Sequence, residues 1–437
     1  LNVAARLRPR AALGFLIACL IGCLALAACE TSGPSRPLPE RVGSGPDAED
    51  GRARDDRRPI VDRQVTPPHR SGQRDSLVRV GLLLPFSGVS AAARGEAASM
   101  LSAAQLALFE AGADRIVLIP KDTGGTEQGA RAQAREVLRE GADVILGPLL
   151  PETVAAVVDE ASVYDKPVIT FSNDRSAAEL GAYVLSVTPE EEVSRVVGYA
   201  SRQGLITFAT LAPDNSFGQR IRDAAEQAAR DNGGFLVTWE VYPEGGDAAM
   251  IDLPARRLAR YDTRLAARNA NQEDQFELPY DAVILPEGGV QLLSVAPLLP
   301  FYDVDPRIVR FLGIGRWRDL AVSREPSLAG GWFPGPDEAA NATFVQSYRA
   351  AFGEDPTRLA PLAYDGVLAV SSLTRGLGAA GLTPQGFQRP SGFRGASGLF
   401  RFNTDRVSEH TLAVYEIRNG QFIVVEPAAD SFAPAVF

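Results

Sequence analysis

Apolar residues along the chain fall into short runs that alternate with longer stretches of helical period. The run Val78-Arg79-Val80-Gly81-Leu82-Leu83-Leu84-Pro85 ends in Pro, Ser87 and Gly88, the pattern of a buried strand feeding a turn. A helix is expected over 91–111, stopped by Gly112. Strands follow at 116–119, 144–146 and 167–171, with helices at 128–140 and 153–164 between them. Strand–helix units of this length imply right-handed crossovers and a mostly parallel sheet. The pattern then restarts: helices at 190–202, 218–231 and 250–261, strands at 206–211, 235–241, 282–285 and 311–313. Residues 263–278 are polar and read as a loop. Two more helices are expected at 341–352 and 363–377. Strands at 399–402, 411–417 and 422–425 are joined by short turns and read as antiparallel.

Two doubly wound α/β sheets in series predict two lobes with a hinge and a cleft. Ligands of open α/β sheets sit beyond the carboxyl ends of the strands. On the first lobe the candidates there are Ser87, Gly88, Asp122, Pro148, Thr153, Ser172, Asn173 and Asp174; on the second they are Asp214, Asn215 and Glu287. The same residue types are also turn formers and helix caps. Trp317, Trp332 and Phe333 are candidates for an exposed partner surface, against the plainer alternative of core packing.

Composition narrows the function. The formal charge of −10 disfavours a nucleic-acid partner. Three cysteines and two histidines leave little for a metal site, and nothing calls for a cofactor. His69 falls in a polar segment and His410 in a late turn, so a Ser/His/acid triad in the cleft is not expected. No GxxxxGK[ST] or GxGxxG pattern is present. The protein is expected not to be an enzyme.

The amino-terminal region carries an address. Arg6, Arg8 and Arg10 precede the apolar run 11–28, an export-signal pattern. Leu26-Ala27-Ala28-Cys29 resembles a bacterial lipobox. That resemblance implies a signal peptide over 1–28, acylation of Cys29, a membrane anchor and a periplasmic location; Glu30 after the cysteine favours the outer membrane. The remainder of 29–76 is rich in Pro, Gly, Ser, Arg and Asp, the composition of a disordered tether. Its nine arginines and nine acids balance, so the negative charge belongs to the folded part.

The segment 80–88, Asp122 after the second strand and Gly147-Pro148 after the third resemble type I periplasmic binding proteins of the leucine-binding kind. Further segments resemble the penicillin-binding protein activator family: Gly147-Pro148-Leu149-Leu150, Thr170-Phe171-Ser172-Asn173-Asp174, Gly331-Trp332-Phe333-Pro334-Gly335-Pro336, Ala363-Tyr364-Asp365-Gly366, and 392–395 with 398–402. The resemblance covers 77–427. It implies the type I fold, with chain crossings near 188, 317 and 397. The first lobe would be 77–187 with 318–397, the second 188–317 with 398–437. It further implies a regulator that activates a class A penicillin-binding protein in peptidoglycan synthesis through protein–protein contact. The alternative is a transporter-type receptor holding an amino acid or another small polar ligand. Leu149, Leu150 and Pro151 stand where such receptors usually carry a hydroxyl, and Phe217-Gly218 stands where Tyr-Gly is common.

Overall fold

The computed structural model describes residues 77–270 and 277–432. The expected signal peptide, Cys29 and the tether lie outside the described residues. Among those described, no helix is long and apolar enough to cross a membrane.

The first sheet contains β1 (Val78–Leu84), β2 (Ile116–Asp122), β3 (Val144–Leu146), β4 (Val168–Thr170) and β5 (Tyr183–Val184). Its order is β2-β1-β3-β4-β5, and every pairing is parallel. Helices cover both faces, which is why β1 is apolar at nearly every position rather than at alternate ones. The helices start where the sequence supplies caps. Ser90 accepts from Ala93 N–H at 3.2 Å ahead of Ala91–Glu110, and Thr126 accepts from Gly129 N–H at 3.0 Å ahead of Glu127–Arg139.

The second sheet contains β6 (Thr207–Pro213), β7 (Phe235–Tyr242), β8 (Ala282–Ile284), β9 (Arg310–Leu312) and β10 (Trp332–Gly335). A small antiparallel sheet follows, made of β11 (Phe393–Gly395), β12 (Gly398–Phe402) and β13 (Ser408–His410). Then β14 (Ala413–Arg418) and β15 (Gln421–Glu426) return to the second sheet, giving the order β15-β14-β10-β9-β8-β6-β7. The last two strands are antiparallel, as their short turns predicted. The α/β class and the two doubly wound lobes are therefore as expected.

The lobe boundaries expected near 317 and 397 both move. β10 pairs with β9 and β14, so 318–335 belong to the second lobe rather than the first. Phe400 and Phe402 pack in one cluster with Leu82, Leu146 and Phe393, and Val184 N–H donates to Arg406 at 2.9 Å, so 398–410 belong to the first lobe. The crossings are 185–188, 336–337 and 411–412. A short apolar strand suits either sheet, and only its packing assigns it. The loop expected over 263–278 also contains a helix, Tyr261–Asn269, separated from Ala248–Leu258 by Arg260 in the left-handed region at φ 47°.

Trp317, Trp332 and Phe333 do not form a partner surface. Trp317 is fully buried, and its indole N–H donates to the Leu285 carbonyl at 2.9 Å. Phe333 stacks on Tyr415 at 5.5 Å, and Trp332 packs edge-on to Tyr199 at 4.8 Å. Their apolar area belongs to the second lobe's core.

Candidate functional site

The carboxyl ends of the two parallel sheets meet across the crossings, and the expected cleft residues stand there. On the first lobe most of them serve the chain itself. One oxygen of Asp122 accepts from the N–H groups of Phe86 (2.9 Å), Ser87 (3.1 Å) and Gly124 (2.9 Å). Asp122 is thus the clasp that shapes the loop after β1. Gly88 in that loop has φ +72°, and a Cβ there would sit 2.2 Å from the Gly124 carbonyl oxygen. Thr153 is buried and donates to the Leu150 carbonyl at 2.7 Å. The Pro148 carbonyl accepts from Thr170 Oγ1 at 2.8 Å and Phe171 N–H at 3.0 Å. Ser172 Oγ accepts from Asp174 N–H at 3.1 Å, and Asp174 accepts from Ser176 N–H at 3.0 Å. For Asp122, Thr153, Ser172 and Asp174 the turn-former alternative therefore describes what they do. Ser87 and Asn173 remain exposed at the rim.

On the second lobe Asn215 caps the helix Ser216–Asp231, accepting from Gly218 N–H at 2.9 Å, and Asp214 is exposed beside it. Glu287 accepts the Tyr242 hydroxyl at 3.2 Å and lies 3.6 Å from the Arg316 guanidinium. Arg316 lies over the Phe217 ring, 4.3 Å from its centroid. Burial raises the Tyr242 phenol, and the Glu287 charge adds to the effect. Burial lowers Arg316, with Arg358 adding to it and Glu287 opposing.

Glu192 binds the turn that carries Arg316. It stands in the first turn of the helix Pro189–Arg202, directly after the first crossing, and accepts from Gly315 N–H at 2.9 Å. Burial pushes its carboxyl up to about 7, against the Gly315 N–H and the charges of Arg358 and Arg316. Arg358 belongs to the first lobe, so charges from both lobes converge on this point. Glu192, Arg220, Tyr242, Arg316 and Arg358 were not anticipated. The acid triplet at 190–192 looks like ordinary helix-dipole complementation, which conceals a withdrawn carboxyl.

His410 ends β13 outside the cleft. It is buried, its backbone N–H donates to Glu191, and its Nδ1 lies 3.2 Å from the second Glu191 oxygen. Asp365, fully buried, accepts from the N–H groups of Ala396 at 2.5 Å and Ser397 at 3.1 Å, so it binds backbone and not Arg394 or Arg401. A separate hollow of about 400 Å³ opens at the amino ends of β8 and β9, away from the strand ends that face the cleft. The Arg264 guanidinium in its wall is already engaged by the carbonyls of Ala259, Tyr302 and Asp303. Among the described residues no group of three or more His, Cys, Asp or Glu could hold a metal ion.

Residues 77–255 match the family described as periplasmic binding protein. An uncharacterized protein of Rickettsia prowazekii is 22% identical over 180 residues, which are 41% of this chain and 47% of that protein, so the match spans about half of the relative's length. A chain from Rhodospirillum rubrum, named for branched-chain amino acid ABC transport, is 18% identical with a TM-score of 0.67, covering 80% of this chain and 100% of that one. The branched-chain amino acid transporter substrate binding protein of Streptococcus pneumoniae, in complex with isoleucine, is 17% identical with a TM-score of 0.55 and the same coverage. A solute binding protein of Rhodopseudomonas palustris in complex with 3,4-dihydroxybenzoic acid is 19% identical with a TM-score of 0.56, covering 81% of this chain and 97% of that one. The fold is that of type I periplasmic binding proteins.

Proposed function

We propose that the protein is a periplasmic solute receptor that holds a small polar molecule between its lobes and does not transform it. The observation that carries this reading is the polar cluster of the second lobe, in which Arg316 lies 3.6 Å from Glu287, Glu287 accepts the Tyr242 hydroxyl and Glu192 accepts the Gly315 N–H, with the charge of Arg358 from the other lobe acting on both Glu192 and Arg316. Most polar groups at the strand ends of the first lobe are engaged by their own loops, whereas these side chains engage one another. The ligands named for similar structures are small carboxylic acids, held by proteins of the same fold.

Thermal unfolding of protein stripped of co-purified small molecules, against a panel of amino acids, aromatic acids, sugars and muropeptides, tests the reading. A ligand present at one hundred times its Kd adds about 2.7 kcal/mol of stability. A concentration-dependent rise in midpoint supports the receptor. No rise with any solute, together with no small molecule released on denaturation, refutes it.

Activation of a class A penicillin-binding protein is the second reading, favoured by the ordered segments 147–150, 170–174, 331–336 and 363–366. Several of these residues have packing roles: Phe333 lies in the core, and Asp365 holds the 396–397 turn. The receptor reading therefore has the stronger support. Pull-down with a class A penicillin-binding protein and a glycan-polymerisation assay address activation; no binding and no change of rate remove it. Acylation at Cys29 and an outer-membrane location belong to either reading. Mass spectrometry of the membrane-extracted protein tests the anchor, with an amino-terminal peptide lacking lipid mass as the result against it.

A further inference from the structure

After β15 the chain meets the hinge a fourth time. β14 leaves the third crossing at Ala413, and β15 runs antiparallel to it with Glu426 opposite Val414, so the last strand delivers the chain back beside that crossing. Its end is fixed to the second lobe. Arg195 and Arg202 of the helix Pro189–Arg202 both grip Glu426, Arg202 at 2.8 Å, and Arg195 also donates to the Leu412 carbonyl of the crossing at 2.6 Å. Ala428 packs against the apolar core of the same lobe. Two residues further on, the contacts change lobe. The Asp430 carbonyl accepts from Arg394 of β11 at 2.7 Å, and the Phe432 ring lies against the Arg401 guanidinium of β12, 4.2 Å from its centroid.

The first lobe holds a prepared seat for that ring. Glu409 of β13 takes Arg401 at its edge, at 2.8 and 2.7 Å, which leaves the flat face of the guanidinium for an aromatic partner. Gly392 supplies the room, since a Cβ there would stand 2.9 Å from Phe432 Cε2. Phe432 is half-buried in this seat. With Ala428 on one lobe and Asp430 on the other, the two peptide links between them span about 7 Å at full extension, so the segment has little slack. The three crossings are continuous chain that runs on into strands and helices. The fourth is held at its far end by side-chain contacts alone, and among the described residues no strand or helix follows it. A joint of that kind can open while both lobes stay folded.

We propose that residues 427–432 are a strap across the hinge, latched to the first lobe by Phe432 and Asp430, which restrains the lobes from pivoting until the latch is released. Hinge residues absorb lobe motion in their φ and ψ angles. A taut segment pinned to both lobes beside them takes that freedom away. The two ends are not held alike. The second lobe has a two-arginine clamp on Glu426 and the packing of Ala428, whereas the first lobe has one ring against one guanidinium and one hydrogen bond. Release therefore occurs at the first-lobe end, with Phe432 as the latch. The strap does not depend on what the lobes hold, and it serves the receptor and the activator readings alike.

Amide exchange and small-angle scattering of the full chain, wild type against Phe432→Ala and Arg394→Ala, test the strap. Two crossings carry amides that report on the pivot: Ser186 N–H donates to Ser408 Oγ at 3.2 Å, and Asp337 N–H to the Ser397 carbonyl at 3.4 Å. In Phe432→Ala these two amides should exchange about tenfold faster, while those of β1 and β6 keep their protection. The radius of gyration should rise. Arg394 is exposed, so Arg394→Ala leaves the core untouched and should give a smaller change in the same direction. Faster exchange confined to 427–432, with wild-type scattering, would overturn the proposal by showing a segment that docks without restraining the lobes. Equal acceleration in β1 and β6 would overturn it as well, by making Phe432 part of the core.

Discussion

Arg220 of the second lobe reaches the Asn173 carbonyl of the first, donating to it at 3.0 Å while its guanidinium chelates Glu190 at 2.6 and 2.9 Å. The two lobes are therefore joined across the mouth of the cleft by one side chain, held in place by an acid on its own lobe. Burial opposes the charge of Arg220, but Glu190 and Asp174 outweigh it and raise its pKa, so it stays charged throughout the ordinary pH range.

Arg220→Ala is expected to loosen this junction. Loss of the cross-lobe bond and of a partly buried ion pair should lower stability by about 1–2 kcal/mol. It should also increase the radius of gyration measured by small-angle scattering of the ligand-free protein. Arg220→Lys keeps a charge but not the two-point grip on Glu190, and should fall between. Scattering curves and midpoints identical to the wild type would show that the contact does not hold the lobes.

Stability should fall as pH rises from 5 to 8. Burial raises Asp365 from 3.8 to about 6 and Glu192 from 4.5 to about 7. Burial works against protonation of His410, but Glu191, Asp365 and Glu409 outweigh it and raise its pKa. A group whose pKa is raised by folding binds its proton more tightly in the native state. Its contribution is fully present below the unfolded pKa and is lost as pH rises through the folded one. All three act in the same direction, each carboxyl on the order of 2–3 kcal/mol. Urea unfolding at pH 5, 6, 7 and 8 measures the slope. Glu192→Gln retains an acceptor for Gly315 N–H and should remove part of the slope between pH 5 and 7; an unaltered slope would contradict the assignment.

Trp317 illustrates how far the sequence could be read. The strand–helix alternation and the two-lobed arrangement were legible because period and turn chemistry are local. The assignment of β10, β12 and β13 to lobes was not, because strands such as Trp332–Gly335 and Gly398–Phe402 suit either core equally well. Asp122, Ser172 and Asp174 were located correctly at strand ends. Whether an acid there grips its own backbone or a ligand depends on distances of about 3 Å that no spacing encodes. Arg316 and Arg358 were hidden for a different reason: arginine supplies nearly all of the 44 basic side chains, so nothing marks these two. Trp317 was singled out for its size, yet that size serves the core.

Substitution at Trp317 should therefore behave as a core lesion. A Cβ on Gly313 would lie 2.1 Å from the indole, so glycine is needed to admit the ring. Trp317→Ala leaves a cavity and an unpaired Leu285 carbonyl and should cost about 3–5 kcal/mol. Gly313→Ala should also destabilise, through overpacking, by about 1–3 kcal/mol. Chemical unfolding followed by circular dichroism measures both. A Trp317→Ala protein of wild-type stability would return the residue to the surface.

The clasp at Asp122 gives the sharpest separation between a structural and a ligand-binding acid. Its single oxygen receives three backbone N–H groups, from both the loop after β1 and the turn after β2. Asp122→Asn retains the acceptor and loses only the charge that strengthens these bonds. Asp122→Ala leaves three donors without a partner and should cost about 2–4 kcal/mol, reduced where water reaches Ser87. Amide exchange of Phe86, Ser87 and Gly124 should accelerate strongly in the alanine variant and modestly in the asparagine variant. Gly88→Ala should resemble the alanine variant by another route: its φ of +72° and the 2.2 Å approach to the Gly124 carbonyl force the two loops apart. If Asp122 instead contacted the ligand directly, the asparagine and alanine variants would lose affinity equally while exchange at the three amides stayed unchanged. Under the clasp assignment affinity tracks loop order, so asparagine binds better than alanine, and the Gly88 variant loses affinity with Asp122 intact.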